Sequence, residues 1–456
     1  MLNRLAFTNF KSWPSLDLAC GKITGVFGTN SSGKTSIIQY LLLMKQTKEA
    51  TDRAVSLELN NGGFVELGTA KDAIHKHDEA NTIKGRLTFE LDDELSLVDP
   101  SRKKTSVIAK GRRLTLRTEI VVKQKAPFAN RLSYTLGGMQ FSLAPRNGDA
   151  SQFELTARAT NDNPSNFKFL RTKGRPWQLP APIKSYAFPD QARTYFQNAG
   201  FLADLEAAYE AEIDKVFYLG PLREFPKRDY LWARSRPTDV GQRGEKAIDA
   251  ILAATEAGWT RNLKPKAHLK PFQEMIAYWL REMGLIHSFK VVEIAPGSNR
   301  WQAKVKTRPG ASEVLLTDVG FGVSQVLPVV TLLQYVPEGA TVILEQPEIH
   351  LHPLAQAGLA DVIVQAAIHR RVQVILESHS EHLLLRLQRR IAEEDISHED
   401  VKLYFCDAPK GISMLTPLKV DLFGNILNWP KRFMGDAFSE TAEAEVARLK
   451  RMKAAE

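Results

Sequence analysis

Gly28-Thr29-Asn30-Ser31-Ser32-Gly33-Lys34-Thr35 satisfies the pattern G-x-x-x-x-G-K-[ST], and its flanks give the pattern meaning. Ile23-Thr24-Gly25-Val26-Phe27 leads in as an apolar strand, and Ser36 to Met44 leads out with helical composition. A strand–loop–helix unit of this kind wraps phosphate oxygens with backbone N–H groups and turns the positive end of a helix dipole toward them. Within it a lysine, here Lys34, reaches the β- and γ-phosphates of a nucleotide, and a hydroxyl, here Thr35, faces Mg²⁺. The nucleotide-binding candidates of the loop are therefore Gly28, Asn30, Ser31, Ser32, Gly33, Lys34, Thr35 and Ser36.

Three later stretches occur in an informative order. Asp318-Val319-Gly320-Phe321-Gly322-Val323-Ser324-Gln325 opens an apolar helix, expected over Val326 to Tyr335 with Pro328 in its first turn. Ser324 is placed to cap that helix and to offer donors to an anion. Thr341-Val342-Ile343-Leu344-Glu345-Gln346-Pro347-Glu348 reads as an apolar strand ending in acids, the arrangement that holds Mg²⁺. Val372-Gln373-Val374-Ile375-Leu376-Glu377-Ser378-His379-Ser380 is a further buried strand with His379 at its exit. The strand–helix–strand alternation predicts parallel strands whose C-terminal ends meet a ligand.

The bulk properties agree with a large intracellular-type protein. The 456 residues, 43% of them hydrophobic, suffice for two or three lobes around substantial cores. A net charge of +9 is modest for this length and fits either an acidic partner or a basic surface. Two cysteines, Cys20 and Cys406, exclude a disulfide framework and a cysteine-based zinc site, and suit a reducing cytoplasm. No run of about 18 apolar residues suggests a membrane span, and the first residues lack the apolar core of a signal peptide.

The chain divides by pattern into five parts: an N-terminal lobe with the phosphate loop (1–80), a β-rich arm (81–215), a strand, loop and helical segment (216–288), a C-terminal lobe (289–415) and a tail (416–456). In the first lobe, residues 55–67 alternate apolar and polar around Asn60-Asn61-Gly62-Gly63, which predicts a hairpin. The arm carries Arg102, Lys103, Lys104, Lys110, Arg112, Arg113, Arg117, Lys123 and Lys125. This is either a phosphate-backbone track or a solvated strand face. Gly220-Pro221-Leu222-Arg223 ends a strand, and the following loop presents Arg223 and Arg228 as anion contacts or as partners of Glu224 and Asp229.

Phosphate loop, signature, acidic strand and switch histidine, in this order, resemble the ABC-type ATPase heads of the RecF, SMC and OLD group. The stretches around Ser324, Glu345 and His379 look like the small prokaryotic AAA/OLD-like ATPases. The Gly220–Arg223 segment and the Trp429-Pro430-Lys431-Arg432-Phe433 tail are similar to a subgroup with a C-terminal domain of unknown function. The resemblance implies an α/β ATPase head with a mixed or parallel sheet, an inserted β-rich arm and a helical segment. It also implies ATP and Mg²⁺ as cofactors, with Thr35 and Glu345 as metal ligands. Two heads would pair as a homodimer or higher oligomer, so that Gly322, Ser324 and Gln325 of one chain face the γ-phosphate held by the other. His379 would act as the γ-phosphate switch, Lys11 and Ser12 would lie at the base or ribose, and a coupling loop would fall between Gly68 and His75.

Two departures from the family pattern matter. The signature lacks the usual sequence, and the expected acidic pair is Glu345-Gln346. A neutral amide cannot serve as a general base, although it can orient water, and Glu348 is placed to supply the missing carboxylate. Glu345, Gln346, Glu348 and His379 are thus the catalytic candidates, with slow turnover expected. A zinc or manganese cluster of Glu345, Glu348, His350, His352, His379 and His382 is a competing reading. Too few residues follow His379 for a nuclease domain of ordinary size. The resemblance points to a cytoplasmic switch that works with a separate effector, as such ATPases do in antiviral systems, or that engages DNA. A stand-alone RecF-like repair ATPase and a non-hydrolysing ATP-bound scaffold are the alternatives.

Overall fold

The computed structural model describes residues 1–99, 101, 106–146, 149–160, 167–174, 178–262, 268–430, 443–448 and 451–452. In chain order, the elements used below are β1 (Leu2–Phe10), β2 (Trp13–Ala19), β3 (Ile23–Gly28), α1 (Lys34–Glu49), β4 (Ile83–Val98), β5 (Val107–Lys123), β6 (Ala126–Leu136), β7 (Met139–Arg146) and β8 (Asp149–Ala159). They continue with α2 (Leu202–Asp214), β9 (Val216–Leu219), α3 (Ala247–Glu256), α4 (Phe272–Glu282), α5 (Phe321–Tyr335), β10 (Thr341–Glu345), α6 (Pro353–His369), β11 (Gln373–Glu377), α7 (Glu381–Ala392), β12 (Val401–Asp407) and β13 (Met414–Leu418).

A six-stranded sheet in the order β13-β12-β3-β11-β10-β9 forms the middle layer. Its inner pairings are parallel, and only β13 runs antiparallel to its neighbour. Strands buried on both faces read as nearly continuous apolar runs, as Thr341–Glu345 and Gln373–Glu377 do. Successive side chains enter different cores. Val342, Leu344, Val374 and Leu376 join the core shared with α5, α6 and α7, whereas Ile343 and Ile375 join the core shared with α1 and α2.

The second core is closed by a seven-stranded antiparallel sheet in the order β2-β1-β4-β5-β6-β7-β8. The β-rich segment therefore continues the sheet begun by the N-terminal strands, with β4 paired directly to β1. The helices expected between residues 245 and 285 are α3 and α4.

Three local expectations are corrected. Residues 55–67 form no hairpin ladder. Their alternation buries Leu57, Leu59, Val65 and Leu67, but the buried Gln46 amide occupies the position of the partner strand. It accepts from Phe64 N and Val65 N and donates to the carbonyls of Glu58 and Val65. Second, α5 begins at Phe321, so Pro328 lies inside the helix and packs so close to Gly244 that a Cβ there would strike its ring. Third, the N-cap of α5 is Gly320, not Ser324. Arg102, Lys103, Lys104 and Lys431-Arg432-Phe433 lie outside the described residues.

One buried amide ties the layers together. Gln373, only 2% exposed, donates to the carbonyls of Leu2 at 2.7 Å and Gly21 at 2.9 Å. Its oxygen accepts from Leu2 N at 3.0 Å and from the Thr341 hydroxyl at 2.9 Å. All four hydrogen-bonding positions of the amide are thus filled. Replacing Gln373 with Leu leaves the Leu2 N–H and two carbonyls buried without partners, and should lower unfolding free energy by about 2–4 kcal/mol. Urea unfolding of wild type and Gln373→Leu measures this; an unchanged midpoint would remove Gln373 from its place as the tie between the sheets.

Candidate functional site

The site gathers at the C-terminal ends of β3, β11 and β10, which are adjacent and parallel. Two glycines shape the loop. Gly28 leaves β3 so close to β12 that a Cβ would strike the Cys406 carbonyl, and Cys406 Sγ donates to Ser32 O at 3.0 Å. Gly33, at φ +91°, caps α1 in the left-handed region that glycine tolerates best. A side chain there would meet the hydroxyls of Ser413 and Ser12. Trp13 Nε1 donates to Gly33 O at 2.9 Å and Ser413 Oγ to Ser12 Oγ at 2.7 Å, so the loop rests on a built floor.

Lys34 is buried, with its amine donating to Thr29 O at 2.7 Å and Gly28 O at 3.3 Å. Burial lowers its pKa, opposed by the nearby Glu377 carboxylate and the Cys406 thiol. Thr35 Oγ1 donates to Glu377 Oε2 at 2.9 Å. Glu377 stands directly across from Glu345 in the β10–β11 register, and both are buried. Burial, followed by the charge of Glu377, pushes the Glu345 carboxyl up to about 7, while the Tyr218 hydroxyl and Arg223 pull it down. Burial also raises Glu377, against hydrogen bonds from Thr35 and Gln346 and the charge of Lys34.

Gln346 turns the chain at φ +43° and gives its N–H to Glu377 O at 2.8 Å. Glu348 Oε1 accepts from the Ser378 hydroxyl at 2.8 Å and from His379 N at 2.7 Å, whereas its Oε2 is buried with no partner. Burial again raises its pKa. His379 is exposed at the exit of β11, and its pKa is lowered by partial burial and by Lys34.

The structure thus brings together Lys34, Thr35, Glu345, Gln346, Glu348 and His379. It adds Glu377, to which no role was assigned from the sequence. Its signal was present: Val342-Ile343-Leu344-Glu345 and Val374-Ile375-Leu376-Glu377 are the same tetrapeptide. Other candidates lie farther out. Lys11 donates from Nζ to Gln39 Oε1 at 2.8 Å, and its carbonyl accepts from His75 Nδ1 at 2.8 Å. Ser324 is buried and donates to Phe321 O at 2.8 Å, within its own helix. Gln325 is buried with Nε2 unpartnered, and Gly322 packs near the His350 carbonyl. The exposed end of α5 is Gly320 and Phe321.

Neither Arg223 nor Arg228 pairs with the acids expected of it. Glu224 pairs with Lys227, Asp229 with Arg300, and Arg228 with Asp318 at 3.3 Å. Arg223 is buried, donating to Pro221 O at 2.8 Å and Glu345 O at 3.4 Å, with Nε unpartnered. It sets a cation behind the strand end that carries Glu345.

The residues fit a magnesium nucleotide. Ser32 Oγ is buried without a partner in the loop, Lys34 rests on loop carbonyls that a phosphate would replace, and Thr35, Glu345 and Glu377 present the oxygen donors Mg²⁺ prefers. For a transition metal the arrangement is poorer. Among the described residues no group of three or more His, Cys, Asp or Glu side chains lies placed to hold an ion. His350 instead stacks edge-on against Phe321, and His352 caps α6.

Residues 287–386 match the family described as "AAA domain, putative AbiEii toxin, Type IV TA system", and residues 396–443 match "Protein of unknown function (DUF3696)". No curated protein matches the chain. Similar solved structures include an SMC head bound to the C-terminal winged-helix domain of ScpA, 11% identical over 92% of this chain and 98% of that one, with a TM-score of 0.43. The SMC head domain from Thermotoga maritima is 12% identical over 92% and 99%, with a TM-score of 0.40. The Pyrococcus furiosus SMC head with an extended coiled coil, bound to the C-terminal domain of ScpA, is 11% identical over 92% and 96%, with a TM-score of 0.45. The strand order itself shows the expected class, an α/β head on a mixed sheet around a phosphate loop, with a β-rich insertion and a helical segment. Among the described residues no helix is long and apolar enough to cross a membrane.

The pair Glu345–Glu377 yields a signed pH effect. Below the ordinary carboxyl value of 4.5, folded and unfolded chains both hold the Glu345 proton; between 4.5 and about 7 only the folded chain does. Stability from this group therefore falls as pH rises through that window. Glu345→Gln keeps an acceptor for the Tyr218 hydroxyl and removes the buried charge. In EDTA, without nucleotide, its melting temperature should exceed that of wild type at pH 8, and the gain should shrink toward pH 5. A difference independent of pH would contradict this account.

Proposed function

We propose that this chain is an ATP-binding, slowly hydrolysing ABC-type ATPase that acts as a dimeric switch, controlling a partner effector or DNA engagement in prokaryotic antiviral defence. The observation that supports it most is the convergence of the Lys34 amine, the Thr35 hydroxyl, Glu345, Glu377 and the His379 exit at the ends of three neighbouring parallel strands. The description of the matched AAA family as a putative toxin of a toxin–antitoxin system supports the defence setting.

In this reading the loop around Ser32 and Gly33 binds the phosphates, and Lys34 leaves its two carbonyl acceptors to meet them. Thr35, Glu345 and Glu377 hold Mg²⁺, which neutralises charge on the phosphates when bound. Gln346 is engaged with Glu377, so Glu348, with one oxygen unpartnered, is the group we assign to orienting water. Through the His379 N–H the same carboxylate fixes the backbone of the switch residue. The exposed Gly320–Phe321 end of α5 is offered to the nucleotide site of a second copy. Slow turnover follows from an amide standing where related heads carry an acid.

Solution mass with and without Mg²⁺-ATP, together with phosphate release, tests the reading. Wild type should gain mass with ATP and turn over well below the enzyme median of about 10 s⁻¹. Lys34→Ala should do neither, losing at least about a hundredfold in turnover. Fast turnover unaffected by Glu348→Gln would overturn the assignment of Glu348, and an ATP-independent mass would overturn the dimeric switch.

A further inference from the structure

Cations on the inserted sheet divide into two populations. Among the described residues, two of those expected to form a track are ion-paired and two more rest against neutral groups. Lys110 pairs with Glu94 at 2.8 Å and Arg113 with Glu90 at 3.4 Å. Arg117 donates to the Thr135 hydroxyl at 3.2 Å, and Lys123 sits 3.7 Å above the Phe128 ring. Paired charges contribute little to an external field.

The second population lines a groove of about 910 Å³ between β8 and the segment from Phe167 onward. Arg146, Arg158, Lys168, Arg171 and Lys173 face it, against Glu154 as the one acid among its described lining residues. None of the five forms an ion pair within the described residues. The floor is aromatic: Phe167 and Phe169 are half-buried, 5.1 Å apart and nearly perpendicular, with Phe196 beneath the Arg171 guanidinium at 5.9 Å.

The wall bearing the cations is held firmly. Buried Asn198 accepts from Leu170 N at 2.9 Å and donates to Lys168 O at 3.0 Å. Thr172 N donates to Tyr195 O at 2.9 Å and Gln197 N to Leu170 O at 2.9 Å. This pinning sends Phe167 and Phe169 inward and leaves Lys168, Leu170 and Arg171 in solvent. A second hollow of about 410 Å³ shares Glu154, Thr156 and Arg158 with the groove and continues it across the sheet toward Arg117 and Arg131.

We infer that this groove binds single-stranded nucleic acid, its cations tracking the phosphates and the accessible edges of its partly buried phenylalanines meeting the bases. Cations spread along both walls suit a chain of charges better than a point anion, and a groove with an aromatic floor suits unpaired bases, which alone can stack there. The inference deepens the DNA branch of the function proposed above and rests on that branch, but it does not depend on nucleotide hydrolysis.

Fluorescence anisotropy with a labelled 20-nucleotide oligo-dT, without ATP, tests it. Binding should weaken with salt at a slope of about −3.5 for five contacts, at roughly 0.7 per phosphate neutralised on a single strand. The triple variant Lys168→Gln, Arg171→Gln, Lys173→Gln should bind at least tenfold more weakly and lose about 2 from that slope. Its melting curve and ATP binding should match wild type, since these side chains are on the surface. Lys34→Ala, which tests the nucleotide reading, should retain oligonucleotide binding, so the two readings fail separately. A triple variant that binds as wild type overturns the inference. So does a 20-base-pair duplex that binds as tightly as oligo-dT, or a groove that takes heparin and no oligonucleotide. An equal affinity for oligo-dT and oligo-U supports it and places recognition in backbone and stacking alone.

Discussion

Two glutamates held at the same level on adjoining parallel strands are the constraint on which the site depends. The β10–β11 register sets Glu345 beside Glu377, and the sheet buries both. Like charges in such a place are costly unless countercharge is supplied. The chain supplies some on either side. Lys34 and the Thr35 hydroxyl face Glu377, while Arg223 and the Tyr218 hydroxyl face Glu345. The negative charge left uncompensated is of the kind that a divalent cation would offset. The loop that would bring that cation with its phosphates begins one strand away, at the end of β3.

The same strand ends tie the site to its surroundings. Arg223 belongs to the loop after β9, and its guanidinium reaches the Glu345 carbonyl from beneath the surface. Farther along that loop, Arg228 pairs with Asp318 just before α5, and Phe225 packs on Phe321 at the exposed end of α5, 5.4 Å between centroids. A displacement of the α5 end by a partner would therefore bear on the Glu345 strand through one short loop. Glu348 makes the corresponding link on the other side, joining the turn after β10 to the backbone of His379. Both links are made by buried polar groups with one unsatisfied atom each, Arg223 Nε and Glu348 Oε2. Such atoms cost free energy in this arrangement and favour any rearrangement that pairs them.

Much of this was legible in the sequence because local pattern and chemistry coincide there. The phosphate loop needs its glycines and its lysine in consecutive positions, and the apolar runs ending at Glu345 and Glu377 announce buried parallel strands. Glu377 was missed because strand order decides it. Nothing local says that β11, rather than β10, lies next to β3. The hairpin expected at residues 55–67 failed for a related reason. Alternation correctly reported one buried face, but a side chain 12 to 19 residues away in sequence, Gln46, supplied the hydrogen bonds that a second strand would otherwise make. Ser324 has the composition of a cap and the position of a buried helix residue, because α5 starts one turn earlier than its apolar run does.

Charge was the least legible property of all. A count of arginines and lysines singles out the stretch from Arg102 to Lys125, and β-pairing then places Glu90 opposite Arg113 and brings Glu94 within reach of Lys110. Sequence separation hides such cross-strand neutralisation, since the acids and bases belong to different parts of the linear pattern. The cations that line the groove are scattered between Arg146 and Lys173 and form no run. They become a group only when Asn198 pins an otherwise irregular segment beside β8. An electrostatic surface is therefore a property of register and pinning more than of composition, and a modest net charge is compatible with a strongly one-signed groove.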